Sequence, residues 1–326
     1  MRTAKKRNRK TSSSDRNFKR YFETSETVTR NLPASARGKR AVSECAQEHA
    51  FAFSAAVLDK KFLSTVKKYA LLSKKDKIAV ACSGGKDSSV ALYLTAKYFP
   101  NVTAIAIDEG IPGYREETLE YARKFCREHK IKLEEYSFRK EFGMGLPEII
   151  RRTGGNPCTT CGVLRRWLLN KNLSGYDKVV TGHSMDDEAE AVLMNLIKAN
   201  LEEQAKLGPV SGARRHPGFT LRVKPLYLLK ENEIIRYAHL VGIRVLKKSC
   251  PYRKNAFRLS IQKELAKLEK EIPDAKLQII QNHLKALPKI RAYFSSSAGY
   301  SKCETCGQPS ANRKCRACII VEKINN

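Results

Sequence analysis

The sequence predicts an α/β protein: an open parallel sheet with helices on both faces, followed by a small C-terminal zinc ribbon. Three observations carry this expectation. Short apolar runs alternate with helix-length stretches from about residue 55 to residue 200, and strands separated by helices of that length pair in parallel. A glycine-rich turn, Ser83-Gly84-Gly85-Lys86-Asp87-Ser88, joins the first strand to the next helix, an arrangement that points backbone N–H groups at an anion. Two Cys-x-x-Cys pairs, Cys303/Cys306 and Cys315/Cys318, stand eight residues apart near the end of the chain. That is the spacing of a four-thiolate zinc site.

The elements follow in order. Residues 1–40 hold 13 Lys or Arg against three acids, with almost no apolar periodicity. Together with residues 41–54 they read as a disordered basic arm. Val57, Phe62, Val66, Tyr69 and Leu72 recur at helical spacing and open a catalytic domain over 55–258. Strands are expected at 77–82, 102–107, 131–138 and 178–181, and helices at 87–97, 114–129 and 185–198. The Gly, Pro and Arg-rich stretch 200–222 reads as a loop. Residues 228–241 and 259–287 read as helices, the second inside a helical segment 259–296, and the ribbon fills 297–326.

Charge narrows the partner. The chain of 326 residues carries 62 Lys or Arg against 33 Asp or Glu, a net +29, of which +19 remains outside the first 40 residues. A field of that sign attracts polyanions, nucleic acid first among them. At 42% hydrophobic residues the chain can fill a core, which excludes a fully disordered basic protein. No apolar run approaches the roughly 20 residues of a membrane span, so no membrane partner is expected and the chain reads as soluble and cytoplasmic. Ten cysteines fall well below the density of a disulfide scaffold and suit metal ligation in a reducing compartment.

The turn at Ser83–Ser88 is too short for a Walker A loop, and Asp follows Lys86 where that motif has Ser or Thr. No Gly-x-Gly-x-x-Gly follows the first strand, which speaks against a dinucleotide oxidoreductase. Asp108-Glu109-Gly110-Ile111-Pro112-Gly113-Tyr114-Arg115 sits directly after the second strand, where open parallel sheets place ligands. Thr181-Gly182-His183-Ser184-Met185-Asp186-Asp187 likewise ends a strand and opens a helix. Carboxylates beside a phosphate loop suit Mg²⁺, and they equally suit helix capping. Cys158, Cys161 and Cys250 form a trio: three thiolates are one short of a closed zinc site, and a redox pair needs no distant third.

In this order the motifs resemble the tRNA 2-thiouridine synthetases of the TtuA family, with their archaeal and eukaryotic cytosolic relatives, in the PP-loop ATP pyrophosphatase superfamily. The resemblance covers residues 55–326. It implies a PP-loop fold and uridine 2-thiolation of tRNA: ATP adenylates the C2 carbonyl, and sulfur transfer follows at a [4Fe-4S] cluster held by Cys158, Cys161 and Cys250. It further implies ATP binding by Ser83, Gly84, Gly85, Lys86, Asp87, Ser88, Asp108 and Gly182, with Mg²⁺. Lys86 and Asp186, in preference to Asp187, are the catalytic expectations, and Arg165 or Arg166 meets phosphate or the reacting oxygen; some members carry Lys there. The sulfur donor would be a ubiquitin-like carrier protein or free sulfide; a homodimer is one assembly open to the chain, and the sequence does not fix the oligomeric state. The chain departs from the family before its first strand, where only Cys45 and His49 stand in place of an N-terminal zinc knuckle. Alternatives are a persulfide on Cys161 or Cys250 without a cluster, a cytidine 2-thiolase or lysidine-type ligase, and a non-catalytic RNA-binding zinc protein.

Overall fold

The computed structural model describes residues 55–212, 218–246, 249–255, 257–294 and 301–325. The basic arm and the Cys45/His49 pair lie outside these residues.

The apolar runs form the sheet that their composition demands. β1 (Ile78–Ala81), β2 (Val102–Asp108), β3 (Lys132–Ser137), β4 (Lys178–Val180) and β5 (Leu221–Val223) pair in the order β3-β2-β1-β4-β5, all parallel. Ile78 stands opposite both Val102 and Lys178. Period-two alternation then sorts the side chains. Ile78, Val80 and Ala104 pack in one core with Phe62 of α1 (55–68), Val90 and Leu94 of α2 (Lys86–Tyr98) and Phe125 of α3 (Arg115–Glu128). Ala79, Ile105 and Ile107 face a second core on the other side. It holds Phe138 of α4 (Phe138–Phe142), Ile149 of α5 (Leu146–Thr153) and Leu164 and Leu168 of α6 (Pro157–Asn172).

The strand order reverses between β1 and β4, because the chain runs outward to β3 before returning. In open α/β sheets the crevice at such a reversal is where ligands bind. Here it is flanked by the glycine turn after β1 and by the Gly182 segment after β4.

A third core joins Met185 and Val192 of α7 (Met185–Ile197) to Ile261 and Leu265 of α10 (Phe257–Glu271) and Ile280 of α11 (Ala275–Tyr293). Two expectations are corrected. The stretch 200–222 is not simply a loop: it holds α8 (Leu201–Ala205) and the fifth strand. Leu221-Arg222-Val223 is too short, and too interrupted by charge, to register as a strand. The helix expected over 259–287 is two helices, broken at Pro273 and at Asp274, whose φ is +61°. Among the described residues no helix is long and apolar enough to cross a membrane. The chain ends in a short hairpin, β6 (Ser301–Lys302) with β7 (Pro309–Ser310), and α12 (Arg316–Asn325), whose Ala317 and Ile324 enter the second core.

Candidate active site

The first turn of α2 leaves its amides without helical partners, and Gly85 in extended geometry delivers the chain to them. Gly84 has φ +81°, and a Cβ there would lie 2.0 Å from the Thr118 carbonyl oxygen. Only glycine fits on both counts. Gly84→Ala is therefore expected to cost about 2–5 kcal/mol, the sum of a left-handed backbone penalty and a displaced α3. Thermal unfolding checks this, and an unchanged midpoint would refute it. Gly182 serves the same approach from the other side, since a Cβ there would lie 2.7 Å from the Asp87 carbonyl. Ser83 Oγ and Ser88 Oγ lie 3.1 Å apart, and the Ser88 hydroxyl also donates to the Gly85 carbonyl at 2.9 Å.

Lys86 Nζ lies 2.8 Å from Glu231 Oε1 and 3.0 Å from Asp87 Oδ2. Burial alone would pull its pKa down, but the two carboxylates outweigh it, so its pKa is raised and the cation is secure. Asp87 is held above the usual carboxylate range by burial, against the pull of Lys86, and its Oδ1 has no hydrogen-bond partner. An orphaned buried carboxylate oxygen beside a phosphate loop suits a divalent cation. Asp108 turns back onto its own segment and accepts the Gly110 amide at 2.8 Å.

In the second segment Ser184 and Asp187 form a capping box on α7. Asp187 also receives Arg258 at 2.7 Å and is held below the usual carboxylate range; burial opposes this, and Arg258 overcomes it. Asp186 accepts the Glu231 amide at 2.6 Å and Lys276 Nζ at 2.6 Å. It thereby ties α7 to α9 (Glu231–Leu240) and α11. His183 shares a 2.9 Å hydrogen bond with Thr181, and burial lowers its pKa toward the neutral ring.

Arg115, almost fully buried, connects the loop to the cysteines. It donates to the Ser83 carbonyl at 2.5 Å and the Ile107 carbonyl at 2.8 Å, and pairs with Glu109 at 2.8 Å. Glu109 in turn meets Arg165 at 3.6 Å. Arg165 lies one turn beyond Cys161 on α6, the helix that Cys158 and Cys161 open. Cys250 precedes a 3₁₀ turn (Pro251–Asn255), and Cys158 Sγ donates to the Tyr252 carbonyl at 3.7 Å. Burial, then Glu109, pushes the Cys161 thiol up to about 12, and Cys250 and Cys158 add to the shift. The fold thus brings together all three cysteines, which are 89 residues apart at the widest adjacent step, from Cys161 to Cys250. Their sulfurs do not close into a set within 4.8 Å, as those of the terminal four do. As a donor set, three converging thiols suit a cluster that takes three protein ligands.

The terminal four are tighter. Cys303 and Cys318 sulfurs are 3.8 Å apart, as are Cys306 and Cys315. A tetrahedron with metal–sulfur bonds of about 2.3 Å has edges of about 3.8 Å, so these residues fit one four-thiolate ion. Burial raises the Cys303 pKa, but the amides of Cys315, Cys306 and Thr305 bring it down to about 6. Trp167 Nε1 on α6 donates to Cys306 Sγ at 3.4 Å, docking the ribbon beside the cysteine trio.

Comparison with known proteins agrees with this fold. Residues 55–269 match the PP-loop domain family. A tRNA-5-methyluridine(54) 2-sulfurtransferase of Pyrococcus horikoshii is 34% identical over 262 residues, covering 80% of this chain and 83% of that protein. The cytoplasmic tRNA 2-thiolation protein 1 of Drosophila mojavensis is 33% identical, covering 78% and 76%. Among solved structures, the U34-tRNA thiolase NcsA of Methanococcus maripaludis, with its [4Fe-4S] cluster, superposes with a TM-score of 0.69. It is 33% identical, and the match covers 81% of this chain and 87% of that one. The chain belongs to the PP-loop tRNA thiolase family.

Within that family frame, sequence reasoning missed several side chains of the site. Glu231, 145 residues from Lys86, is announced by no motif. Lys276 and Arg258 reach the acidic segment from α11 and α10, helices with no chemical signature. Arg115 stood in a recognised segment, but only folding shows that it holds the phosphate loop.

Proposed function

We propose that this chain is a tRNA uridine 2-thiolase working in the cytoplasm, with ATP cleaved to AMP and pyrophosphate. The observation that carries the reading is the Ser83–Arg115–Glu109–Arg165 chain, its middle pair buried, which runs from the phosphate loop to the helix of the three-cysteine site. It supports a reading in which activation and sulfur transfer share one framework.

The loop amides, Ser83, Ser88 and Lys86 bind the β- and γ-phosphates, Lys86 exchanging Glu231 for phosphate oxygen. The uracil O2 attacks the α-phosphorus, the bond to the β-phosphate oxygen breaks, and pyrophosphate departs. Its growing charge falls on donors that the fold has already aimed, where electrostatic stabilisation is most effective. Mg²⁺, held by Asp87 through its unpartnered oxygen and by Asp186 in exchange for Lys276, would neutralise phosphate charge. Sulfide then adds at C2, and AMP leaves with the original oxygen. To Arg165, half exposed beside Glu109, we assign the neutralising of the charge on that departing group. A [4Fe-4S] cluster on Cys158, Cys161 and Cys250 would leave one iron without a protein ligand, available to a hydrosulfide. The sulfur comes from a ubiquitin-like carrier or free sulfide.

Zinc in the Cys303/Cys306/Cys315/Cys318 site holds the ribbon, a segment with little core of its own. Cys318→Ser is expected to lose one zinc per chain, leave iron content unchanged, and alter the emission of Trp167; retained zinc would refute the assignment. The function itself is tested by anaerobic incubation of the reconstituted chain with bulk tRNA, ATP, Mg²⁺ and sulfide, followed by nucleoside mass spectrometry. A 2-thiouridine derivative is expected. A 2-thiocytidine product, or no sulfur incorporation, would overturn the reading.

A further inference from the structure

Away from the ATP and cysteine site, a groove of about 1240 Å³ runs between α6, β5 and the ribbon, walled in part by Arg166, Arg222, Arg316, Trp167 and Tyr176. The acids on its wall are already engaged. Glu202 and Glu203 flank Lys206 at 2.9 and 2.7 Å, and Asp177 accepts the Lys77 amide at 2.7 Å. Lys224 is buried against Glu188 at 2.6 Å.

Among the described residues, Arg166, Arg222 and Arg316 have no carboxylate at ion-pair distance. Arg222 is fixed by Asn170 Oδ1 at 2.8 Å and reaches the Arg166 carbonyl at 3.5 Å. Burial, then Arg166 and Arg165, pull its pKa down to about 10. Arg166 is lowered by burial and then by Arg165, with Glu203 opposing and Arg316 adding. Like charges gathered in one cleft repel unless an anion joins them.

The groove exceeds the roughly 300–1,000 Å³ of a small-ligand pocket, so a polymer segment fits it better than a single phosphate. Its position relates it to the chemistry. Adjacent helix residues diverge by about 100°, and Arg165 turns to Glu109 while Arg166 turns to the groove. Arg166 lies five positions beyond Cys161 on the helix, a rise of about 7.5 Å.

We propose that this groove binds the phosphodiester backbone of the RNA substrate, with Arg166, Arg222 and Arg316 as its phosphate ligands. The proposal rests on the thiolase reading and adds where the strand runs: across α6 and along the ribbon.

The test compares the full-length holoprotein with its Arg166→Gln/Arg316→Gln and Arg166→Lys/Arg316→Lys variants, titrated with bulk tRNA over a salt series. Trp167, the chain's one tryptophan, reports from the groove wall. Wild type should show Trp167 quenching. The Gln pair should flatten the log-affinity against log-salt slope by about 1.4–1.8 and weaken binding about 10- to 100-fold at physiological salt, with ATP-induced thermal stabilisation unchanged. The Lys pair should keep the wild-type slope. An unchanged slope in the Gln pair, or a Lys pair as weak as the Gln pair, would overturn this inference alone. So would quenching by an acidic carrier protein with none by tRNA. Failure of wild type to bind tRNA at all would overturn the thiolase reading with it.

Discussion

Lys86→Ala is expected to lower AMP and pyrophosphate formation by at least about 10²–10³-fold while leaving iron and zinc content unchanged. The magnitude is that of removing one preorganised donor from the group on which charge develops. The site gives the specificity of the effect. Lys86 stands in the first turn of α2, tethered to Asp87 and Glu231, and among the described residues no bond runs from it to the cysteine site. Its loss leaves Glu231 and Asp87 facing incoming phosphate without a cation, so ATP affinity should also fall. Loop architecture should persist, because Arg115 and Gly84 hold the loop independently. Undiminished AMP production would remove Lys86 from the mechanism.

Cys250→Ala is expected to do the reverse. Iron should drop from about four per chain toward zero after anaerobic reconstitution, the broad brown absorbance should vanish, and 2-thiouridine formation should cease. ATP-induced thermal stabilisation should remain. The fold supports so complete an effect, because two cysteines at the start of α6 cannot hold a cluster without a third ligand, and Cys250 is brought to them by the 3₁₀ turn beside Tyr252. Iron and sulfur incorporation both at the wild-type level would show that the trio is not the cluster site, and would favour a persulfide chemistry on Cys161.

The frame of the fold was legible because its signals are local. Val102–Asp108 is a near-continuous apolar strand followed by an acidic turn, and the glycine loop between β1 and α2 declares itself by composition. β5 was missed since three residues with a central Arg carry no periodicity, and its strand character comes from pairing with β4. The break at Pro273 and Asp274 was hidden under helical spacing on both sides. At the site, the residue types that do chemistry were visible, but their partners were not. Glu231 meets Lys86 across 145 residues of chain. Asp186 and Asp187 are adjacent in sequence, yet α7 aims them differently: Asp187 caps its own helix, and Asp186 reaches across to Lys276. No spacing argument separates such neighbours, because their difference is made by α10 and α11.

The central claim is that the uracil O2 becomes the bridging oxygen of an adenylate before sulfur enters. The most direct measurement uses tRNA transcribed with uridine carrying ¹⁸O at C2, incubated anaerobically with the reconstituted chain, ATP, Mg²⁺ and sulfide. Mass spectrometry of the nucleotide products should find the label in AMP, one ¹⁸O for each 2-thiouridine formed. Label appearing in water or inorganic phosphate, with AMP unlabelled, would contradict adenylation at C2.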